Sequence, residues 1–307
     1  MDSIKVFSPG SVTNLSCGYD ILGFCLDKVG DTITVTKTPE KGVKISSIDK
    51  YNLPTNINQN VAGIAAQAMM KDINLDYGFD IKIKKGIKPG SGIGSSAASS
   101  AGVVFAINKL IDSPFSDIEL IRFAMEGEKF VSGSYHADNV SPILLGGFTL
   151  VRSVKDLDII KLPNPKGLIA TIIRPEIELK TSDSRKVVKL KVTIDKMVQQ
   201  SANLAAFISS LYTEDYDLMS NSIVDEIIEP DRALLIPEFY NIKEISIKSG
   251  AIACGISGSG PAIFALSKSN KTANVILNKV SSHFNSVNIN YNGFVSIINS
   301  EGVKVID

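Results

Sequence analysis

The sequence predicts a mixed α/β protein of two domains. Runs with apolar residues at period two alternate with runs of helical spacing, and the chain of 307 residues is longer than one hydrophobic core usually needs. Two prolines and a glycine in residues 162–167 interrupt both periodicities near the middle. We therefore expect one domain in residues 1–165 and a second in residues 166–307.

The N-terminal third combines strand and helix patterns. Residues 32–36 and 80–84 alternate apolar and polar side chains, which predicts strands with one buried face. Helical spacing predicts helices at residues 59–72, 95–111 and 116–131. Ser95 and Ser116 are of the type that caps a helix N-terminus, so we expect them to cap the second and third helices.

The later elements follow from the same patterns. The predicted strands are residues 148–152, 169–174, 251–256 and 261–266, the last two joined by a Ser-Gly-Ser-Gly turn. The predicted helices are one long helix at residues 183–212 and another at residues 270–284.

Composition excludes several classes of function. Lys plus Arg and Asp plus Glu both total 32, so no broad field is available to hold nucleic acid or an anionic membrane. No apolar run resembles a signal peptide or reaches the roughly 18 residues of a membrane span, so we expect a cytoplasmic protein. The three cysteines and two histidines are too few and too scattered for a disulfide framework or a His-rich zinc site.

A glycine-rich segment, residues 88–102, joins a predicted strand to a predicted helix. Its glycines allow backbone amides to approach a ligand, and with the following helix N-terminus they form a site for phosphate. It lacks the Gly-Lys-Ser/Thr ending of a P-loop, and Ser95 stands where a dinucleotide fingerprint needs its third glycine. A flexible turn before a close-packed Ala/Ser helix explains this segment equally well by itself, so other motifs must decide.

Three segments resemble motifs of the GHMP kinase family. Residues 89–98 are similar to its central motif, which ends Gly-(Leu or Ile)-Gly-Ser-Ser-Ala, residues 9–20 to its N-terminal motif, and residues 255–262 to its C-terminal motif. Ser16 and Tyr19 stand at positions that are often Gly and Phe. The resemblance implies an ATP-dependent small-molecule kinase with a ribosomal-protein-S5-like N-terminal domain, a ferredoxin-like C-terminal domain and the site between them.

Further segments resemble the family members that phosphorylate homoserine, namely residues 18–23, 136–148 and 227–232. The resemblance then implies L-homoserine as substrate, O-phospho-L-homoserine and ADP as products, a role in threonine biosynthesis and a homodimer. The alternatives are another kinase of the family, of mevalonate-pathway or shikimate type, and a non-catalytic ligand sensor with the same fold. A nicotinamide dehydrogenase is a more distant alternative.

Homoserine needs partners for a carboxylate, an ammonium and a hydroxyl. The residues that the resemblance assigns to it are Asn14, Asp20, His136, Asn139, Thr181, Arg185, Arg232 and Gly258. Arg185 and Arg232 offer guanidinium forks for the carboxylate, and Asp20 offers a partner for the ammonium. Asn139 stands where several family members have an aspartate base, which implies catalysis by positioning and charge stabilisation.

ATP needs a phosphate cradle and a cation. The residues assigned to the nucleotide are Asn60, Pro89, Gly90, Ser91, Gly92, Ile93, Gly94, Ser95 and Ser96. Mg²⁺ prefers a carboxylate, a hydroxyl and water, and Ser96 with Glu128 resembles the family's pair of metal ligands. Glu126 is the near competitor, and Glu128 is preferred for its spacing to His136 and Asn139. For Asn60, a helix N-cap is a competing explanation.

Overall fold

A computed structural model describes residues 1–177, 179, 181–189 and 191–307, without the side chains of Thr181 and Ser182. The strands are β1 (Ser3–Thr13), β2 (Leu22–Thr38), β3 (Gly42–Asp49), β4 (Gly78–Lys84), β5 (Phe148–Ser153), β6 (Asp158–Leu162), β7 (Ile169–Pro175), β8 (Ala253–Ile256), β9 (Ile263–Ser267), β10 (Tyr291–Ile297) and β11 (Lys304–Val305). The helices are α1 (Val61–Met70), α2 (Ser95–Leu110), α3 (Asp117–Ser132), α4 (Ala137–Leu145), α5 (Thr181–Lys186), α6 (Ile194–Thr213), α7 (Tyr216–Ser222), α8 (Glu229–Arg232), α9 (Phe239–Lys248) and α10 (Asn270–Ser286).

The larger sheet is organised around the long strand β2. Its order is β11-β1-β2-β4-β3, and the β5–β6 hairpin pairs with the first residues of β2. The register between β1 and β2 shifts between Pro9 and Ser11, where proline has no amide to donate. Such a bulge bends a strand, and beyond it β1 leads into the turn that carries Asn14.

Helix α2 lies at the centre of the helical layer that packs on this sheet. It contacts β1, β2, α1, α3 and α4, and its Ala, Ser and Gly residues allow this close approach. A Cβ on Gly102 would lie 2.5 Å from Ile33 Cδ1 and 2.7 Å from Ser8 Cβ. Small residues therefore fix the distance between α2 and the sheet, and with it the place where α2 begins.

The second sheet is antiparallel, in the order β10-β7-β9-β8. One face packs on α9 and α10 around Phe239 and Phe284. The other face joins the main core, where the ring centre of Phe264 lies 6.5 Å from that of Phe24 in the first sheet. This is the two-domain mixed α/β architecture that the sequence predicted.

The exact domain boundary stays a prediction. The last strand of the first sheet before residue 165 ends at Leu162, and the first strand of the second sheet begins at Ile169. The strand β11 near the chain end returns to the first sheet and pairs with β1. Within the described residues, no helix is both long and apolar enough to cross a bilayer.

The predicted strands and helices are confirmed with two exceptions. Ser95 does not cap α2: the N-cap is Gly94 with φ 70°, and the Ser95 hydroxyl donates instead to the Ile87 carbonyl at 3.0 Å. The single helix predicted for residues 183–212 is wrong, because α5 ends at Lys186 and α6 begins after the N-cap Thr193. Branched valines between them disfavour a continuous helix. Ser116 caps α3 as predicted, in a capping box with Glu119.

Candidate active site

A cavity of about 420 Å³ lies where the two halves of the chain meet. Most of the residues predicted from the sequence line it together: Asn14, Asp20, Asn60, Pro89, Gly90, Ser91, Gly92, Gly94, Ser95, Ser96, Glu128, His136, Asn139, Arg185, Arg232 and Gly258. Ile93 does not line it, because its side chain is buried in the main core and its carbonyl accepts from the Ser11 amide at 3.2 Å. The Thr181 side chain lies outside the described residues.

The glycine-rich segment forms one wall and is held by specific contacts. Gly92 has φ 81°, and a Cβ there would lie 2.7 Å from the Gly260 carbonyl oxygen. Ser257 donates its hydroxyl to the Gly92 carbonyl at 2.6 Å. A Cβ on Gly94 would lie 2.4 Å from Ser11 Oγ, so glycine is needed where α2 begins. The loop thus presents backbone amides and the α2 N-terminus to the cavity, which suits a phosphate.

One buried hydroxyl in this loop is available to a ligand. Ser91 is buried, lines the cavity and has no hydrogen-bond partner for its Oγ among the described residues. A buried polar atom without a partner is costly. A bound phosphate oxygen would satisfy it.

Glu128 is a buried carboxylate facing the cavity. It is 2% exposed, and its Oε2 accepts a hydrogen bond from Asn139 Nδ2 at 3.3 Å. Its Oε1 has no hydrogen-bond partner in the described part of the chain. Burial raises the pKa of Glu128, although Ser96, His136 and Asn139 counteract this. A carboxylate oxygen left unpaired beside a serine hydroxyl is suited to a hard cation.

A glycine beside Glu128 allows α3 to approach α2 closely. A Cβ on Gly127 would lie 2.2 Å from Ser100 Oγ and 2.6 Å from the Val61 carbonyl oxygen. The absence of that Cβ brings Glu128 on α3 near Ser96 on α2, and the Ser96 side chain lowers the pKa of Glu128. Helix contact therefore builds this pair.

The competing carboxylate has another partner. Glu126 Oε1 accepts a hydrogen bond from the Tyr135 hydroxyl at 3.1 Å, and Glu126 is not among the residues that line the cavity. The geometry favours Glu128. Among the described residues, no group of three or more His, Cys, Asp or Glu side chains is placed to hold a metal ion. A cation here would therefore depend on one carboxylate, a hydroxyl and the phosphates of a nucleotide.

Charged side chains cluster at another part of the cavity. Arg185 Nη2 donates to Asp20 Oδ2 at 2.8 Å and lies 3.1 Å from His136 Nε2. Burial lowers the pKa of His136, but the carboxylates of Asp138, with Oδ1 3.7 Å from His136 Nδ1, and of Asp20 together outweigh it and raise the pKa above its ordinary value. Asn14 supports the cluster, because its Oδ1 accepts from the Asp20 amide at 3.0 Å.

Arg232 is a buried cation fixed by neutral partners. It is 3% exposed, and its guanidinium donates to the Ser184 carbonyl at 3.2 Å, the Gly258 carbonyl at 3.0 Å and the Tyr19 hydroxyl at 3.3 Å. The guanidinium carbon lies 4.9 Å from the centre of the Tyr19 ring. Burial lowers its pKa. In the part of the chain that the structure describes, no carboxylate lies within ion-pair distance of Arg232.

Two predicted residues have their polar groups already in use. The Gly258 carbonyl accepts from Asn14 Nδ2 at 2.7 Å and from Arg232, so it orients both side chains. Asn60 caps α1 by accepting from the Ala62 amide at 2.9 Å, and its Nδ2 donates to the Pro54 carbonyl at 2.8 Å. The N-cap explanation for Asn60 thus holds, although Asn60 also lines the cavity.

Sequence reasoning missed several residues of the cavity wall, among them Thr13, Lys85, Ser99 and Asp138. Asp138 stood inside a segment already singled out, between His136 and Asn139. Lys85 comes directly after the alternating residues 80–84, where a lysine is usually exposed, and no local pattern indicated that it is buried.

Comparisons with known proteins agree over most of the chain. The family model for the GHMP kinases N terminal domain matches residues 60–147, and that for the GHMP kinases C terminal domain matches residues 206–286. A homoserine kinase of Chlorobium phaeobacteroides (strain BS1) is 37% identical and covers 100% of both chains. A homoserine kinase of Methanococcus vannielii is 40% identical over 87% of this chain and 89% of that protein.

Solved structures share the same architecture. The crystal structure of a homoserine kinase from Cytophaga hutchinsonii has a TM-score of 0.96 and 42% identity, covering 100% of this chain and 98% of that one. A mevalonate kinase from L. major in complex with R-mevalonate has a TM-score of 0.70 at 15% identity, covering 96% of each chain, which shows the fold alone.

Proposed function

The chain belongs to the GHMP kinase family and is a kinase with ATP as phosphoryl donor, and we propose that its site phosphorylates the side-chain hydroxyl of L-homoserine. The products are O-phospho-L-homoserine and ADP, and the reaction serves threonine biosynthesis. Homoserine kinases that match the full chain at 37% to 42% identity support this substrate.

The buried Arg232 is the observation that carries the proposal. A cation removed from water needs a negative partner, and its described partners are neutral. Arginine has five N–H donors, so three bonds leave one on Nη1 and one on Nη2 as far as the described residues go. Two parallel donors suit the carboxylate of the substrate.

A carboxylate alone does not identify an amino acid, since mevalonate and shikimate have one too. The additional feature is Asp20, whose carboxylate pairs with Arg185 at 2.8 Å in the ligand-free protein. A zwitterion can exchange partners with this pair, with its ammonium on Asp20 and its carboxylate on Arg185 and Arg232. Neither charge of the substrate is then left unpaired, whereas a substrate without an ammonium would leave Asp20 without a cationic partner.

Phosphoryl transfer depends on how this chain places the two reactants. The loop amides and the α2 N-terminus bind the phosphates, Ser91 Oγ adds a donor, and Asn139 orients the substrate hydroxyl for attack on the γ-phosphorus. The Asn139 amide cannot take the hydroxyl proton, so that proton leaves to a phosphate oxygen or water.

Mg²⁺ is the cation that this donor set fits. Ser96 and Glu128 would hold it, Glu128 through the buried Oε1 that lacks a partner among the described residues. The ion would neutralise the phosphate charge that develops during transfer. Asn139 keeps Glu128 oriented through its hydrogen bond of 3.3 Å.

A substrate panel tests the proposal. The purified protein is incubated with ATP and Mg²⁺, and ADP release is measured with L-homoserine, shikimate and mevalonate. We expect turnover with L-homoserine at a kcat/KM at least about 100-fold above the others. Turnover of another acceptor in its place would refute the substrate, and binding of ATP and homoserine without ADP release would indicate a sensor.

Two further expectations from the family resemblance stay predictions. We expect a homodimer, which light scattering of the purified protein would measure as about twice the mass of one chain. We also expect a cytoplasmic location, which cell fractionation would test.

A further inference from the structure

A buried ion pair lies beneath the first turn of α2. Lys85 follows the end of β4, Asp31 lies in β2, and their side chains are 2% and 0% exposed. The Lys85 ammonium donates to Asp31 Oδ2, to the Ser95 carbonyl at 3.0 Å and to Ser99 Oγ at 2.9 Å. These contacts use all three of its donors.

Asp31 binds the other side of the same junction. Its Oδ1 accepts from the amides of Gly86 at 3.0 Å and Ile87 at 3.3 Å, where the chain leaves β4 for the glycine-rich loop. Its Oδ2 also accepts from the Ser99 hydroxyl at 2.7 Å. The pair therefore joins the central strand, the start of the loop and the start of α2 in one closed network.

Stability alone is a weak reason for such a pair. Removing two charges from water is costly, and apolar side chains of similar volume often stabilise a core as well or better. Its position has a clearer consequence, because Ser95 and Ser99 stand on either side of Ser96 within the first five residues of α2. Lys85 and Ser99 line the cavity, whereas Asp31 does not. Of the two charged residues, Lys85 is therefore the one that faces the proposed nucleotide site.

We propose that Lys85 and Asp31 are positioning residues for phosphoryl transfer, which clamp the first turn of α2 to the sheet and so set the position of Ser96 and the phosphate-binding amides. The inference rests on the proposed kinase site and adds two residues to it. Neither residue needs to touch the substrate. A shift of the first turn by about 1 Å would misplace Ser96 relative to Glu128 and could lower turnover about 100-fold.

The test uses a double variant, Lys85→Met with Asp31→Asn, which removes both charges together and leaves no single buried charge. The asparagine keeps an oxygen for the Gly86 and Ile87 amides. We expect a folded protein with a dissociation constant for ATP raised about 10-fold and a kcat lowered about 100-fold, but with little change in KM for homoserine. Native values for both the ATP dissociation constant and kcat would overturn the proposal.

Two more variants keep the test decisive. Leu110→Ala, at the buried far end of the same helix, should lower the melting temperature while leaving kinetics native, which separates positioning from general destabilisation. Should the double variant not fold, Ser99→Ala keeps the ion pair but removes one acceptor of Lys85, and we expect ATP binding weakened about 3-fold to 10-fold. Native ATP binding by the Ser99 variant would then refute the clamp.

Nucleotide binding is measured by titration calorimetry without homoserine. A native protein that binds ATP but does not phosphorylate homoserine would refute the proposed substrate and leave the clamp to be judged by ATP affinity. A native protein that phosphorylates homoserine, with variants of native ATP affinity and kcat, would refute the clamp alone.

Discussion

Replacing Arg232 tests how the site recognises its substrate. The guanidinium is fixed by Ser184, Gly258 and Tyr19, so little ordering of this side chain is needed when the substrate binds. In Arg232→Ala, the loss of one charged hydrogen-bonding group from a buried site costs about 2 to 4 kcal/mol. Since 1.36 kcal/mol is tenfold in rate, kcat/KM for homoserine should fall about 30-fold to 1,000-fold.

The lysine variant separates charge from shape. Arg232→Lys keeps the positive charge but has no fork and cannot stack as a plane on Tyr19, which lies 4.9 Å away. We expect a loss smaller than that of the alanine variant but still about 10-fold or more. Arg185→Lys should behave similarly, because Arg185 is proposed to share the same carboxylate.

The assay couples ADP release to a spectrophotometric signal, with L-homoserine and homoserine amide as substrates. The native enzyme should use the amide poorly, and the Arg232 variants should lose little further with it. KM for ATP should change little. Arg152→Ala is the matched control, because Arg152 pairs with Asp158 on the exposed β5–β6 hairpin and does not line the cavity.

Two results would refute this reasoning. Equal turnover of amide and homoserine by the native enzyme would show that no carboxylate is recognised. Native kinetics in both Arg→Ala variants, at Arg185 and Arg232, would show that these residues do not recognise it. Circular dichroism must show the variants folded, since removing the buried Arg232 takes one donor from the Ser184 carbonyl and leaves the Gly258 carbonyl with Asn14 Nδ2 only.

Further predictions concern the nucleotide side of the cavity. Glu128→Gln should lower kcat about 1,000-fold, because a charge interaction near 4 Å at an effective dielectric constant of 20 amounts to about 4 kcal/mol. Glu126→Gln should retain native turnover. A large loss in the Glu126 variant with native turnover in the Glu128 variant would make Glu126 the metal ligand. Asn139→Asp should bring no gain in kcat at any pH. We expect a loss, because the change replaces Asn139 Nδ2, the donor 3.3 Å from Glu128 Oε2, by a second carboxylate. A many-fold gain would show that proton abstraction limits the native enzyme. Burial raises the pKa of Glu128, so its contribution to stability is complete below the unfolded value of about 4.3 and is lost as pH rises through the folded pKa. Without nucleotide, Glu128→Gln should therefore show a flatter decline of the free energy of unfolding with rising pH, measured by urea denaturation; an unchanged slope would contradict a raised pKa.

The sequence by itself determined the elements whose signals are local. Period-two and helical spacing predicted the main strands and helices, and the capping box at Ser116 is a pattern of four consecutive residues. The glycine-rich loop, by its composition alone, indicated backbone amides available to phosphate, but a flexible turn explained it equally well. The family motifs then selected a kinase, and most of the residues they named line one cavity of the structure.

Local patterns failed where neighbours in space decide. Ser95 is a residue type that often caps helices, yet the N-cap of α2 is Gly94. Residue 94 must be a glycine because Ser11 of β1 leaves no room for a Cβ there. Residues 183–212 have helical spacing overall, yet the helix breaks before Thr193. In both places a weak intrinsic preference competes with packing or chain geometry.

Only the tertiary structure decided the electrostatics of the site. Lys85 and Asp31 are separated by 54 residues, and Arg232 and Tyr19 by 213, so no sequence window contains either contact. Glu126 and Glu128 are two positions apart and the sequence hardly distinguishes them, but Glu126 binds Tyr135, whereas Glu128 is buried against Asn139. Burial and partners set the charge state and the availability of a side chain, and both depend on which distant segments the fold packs around it.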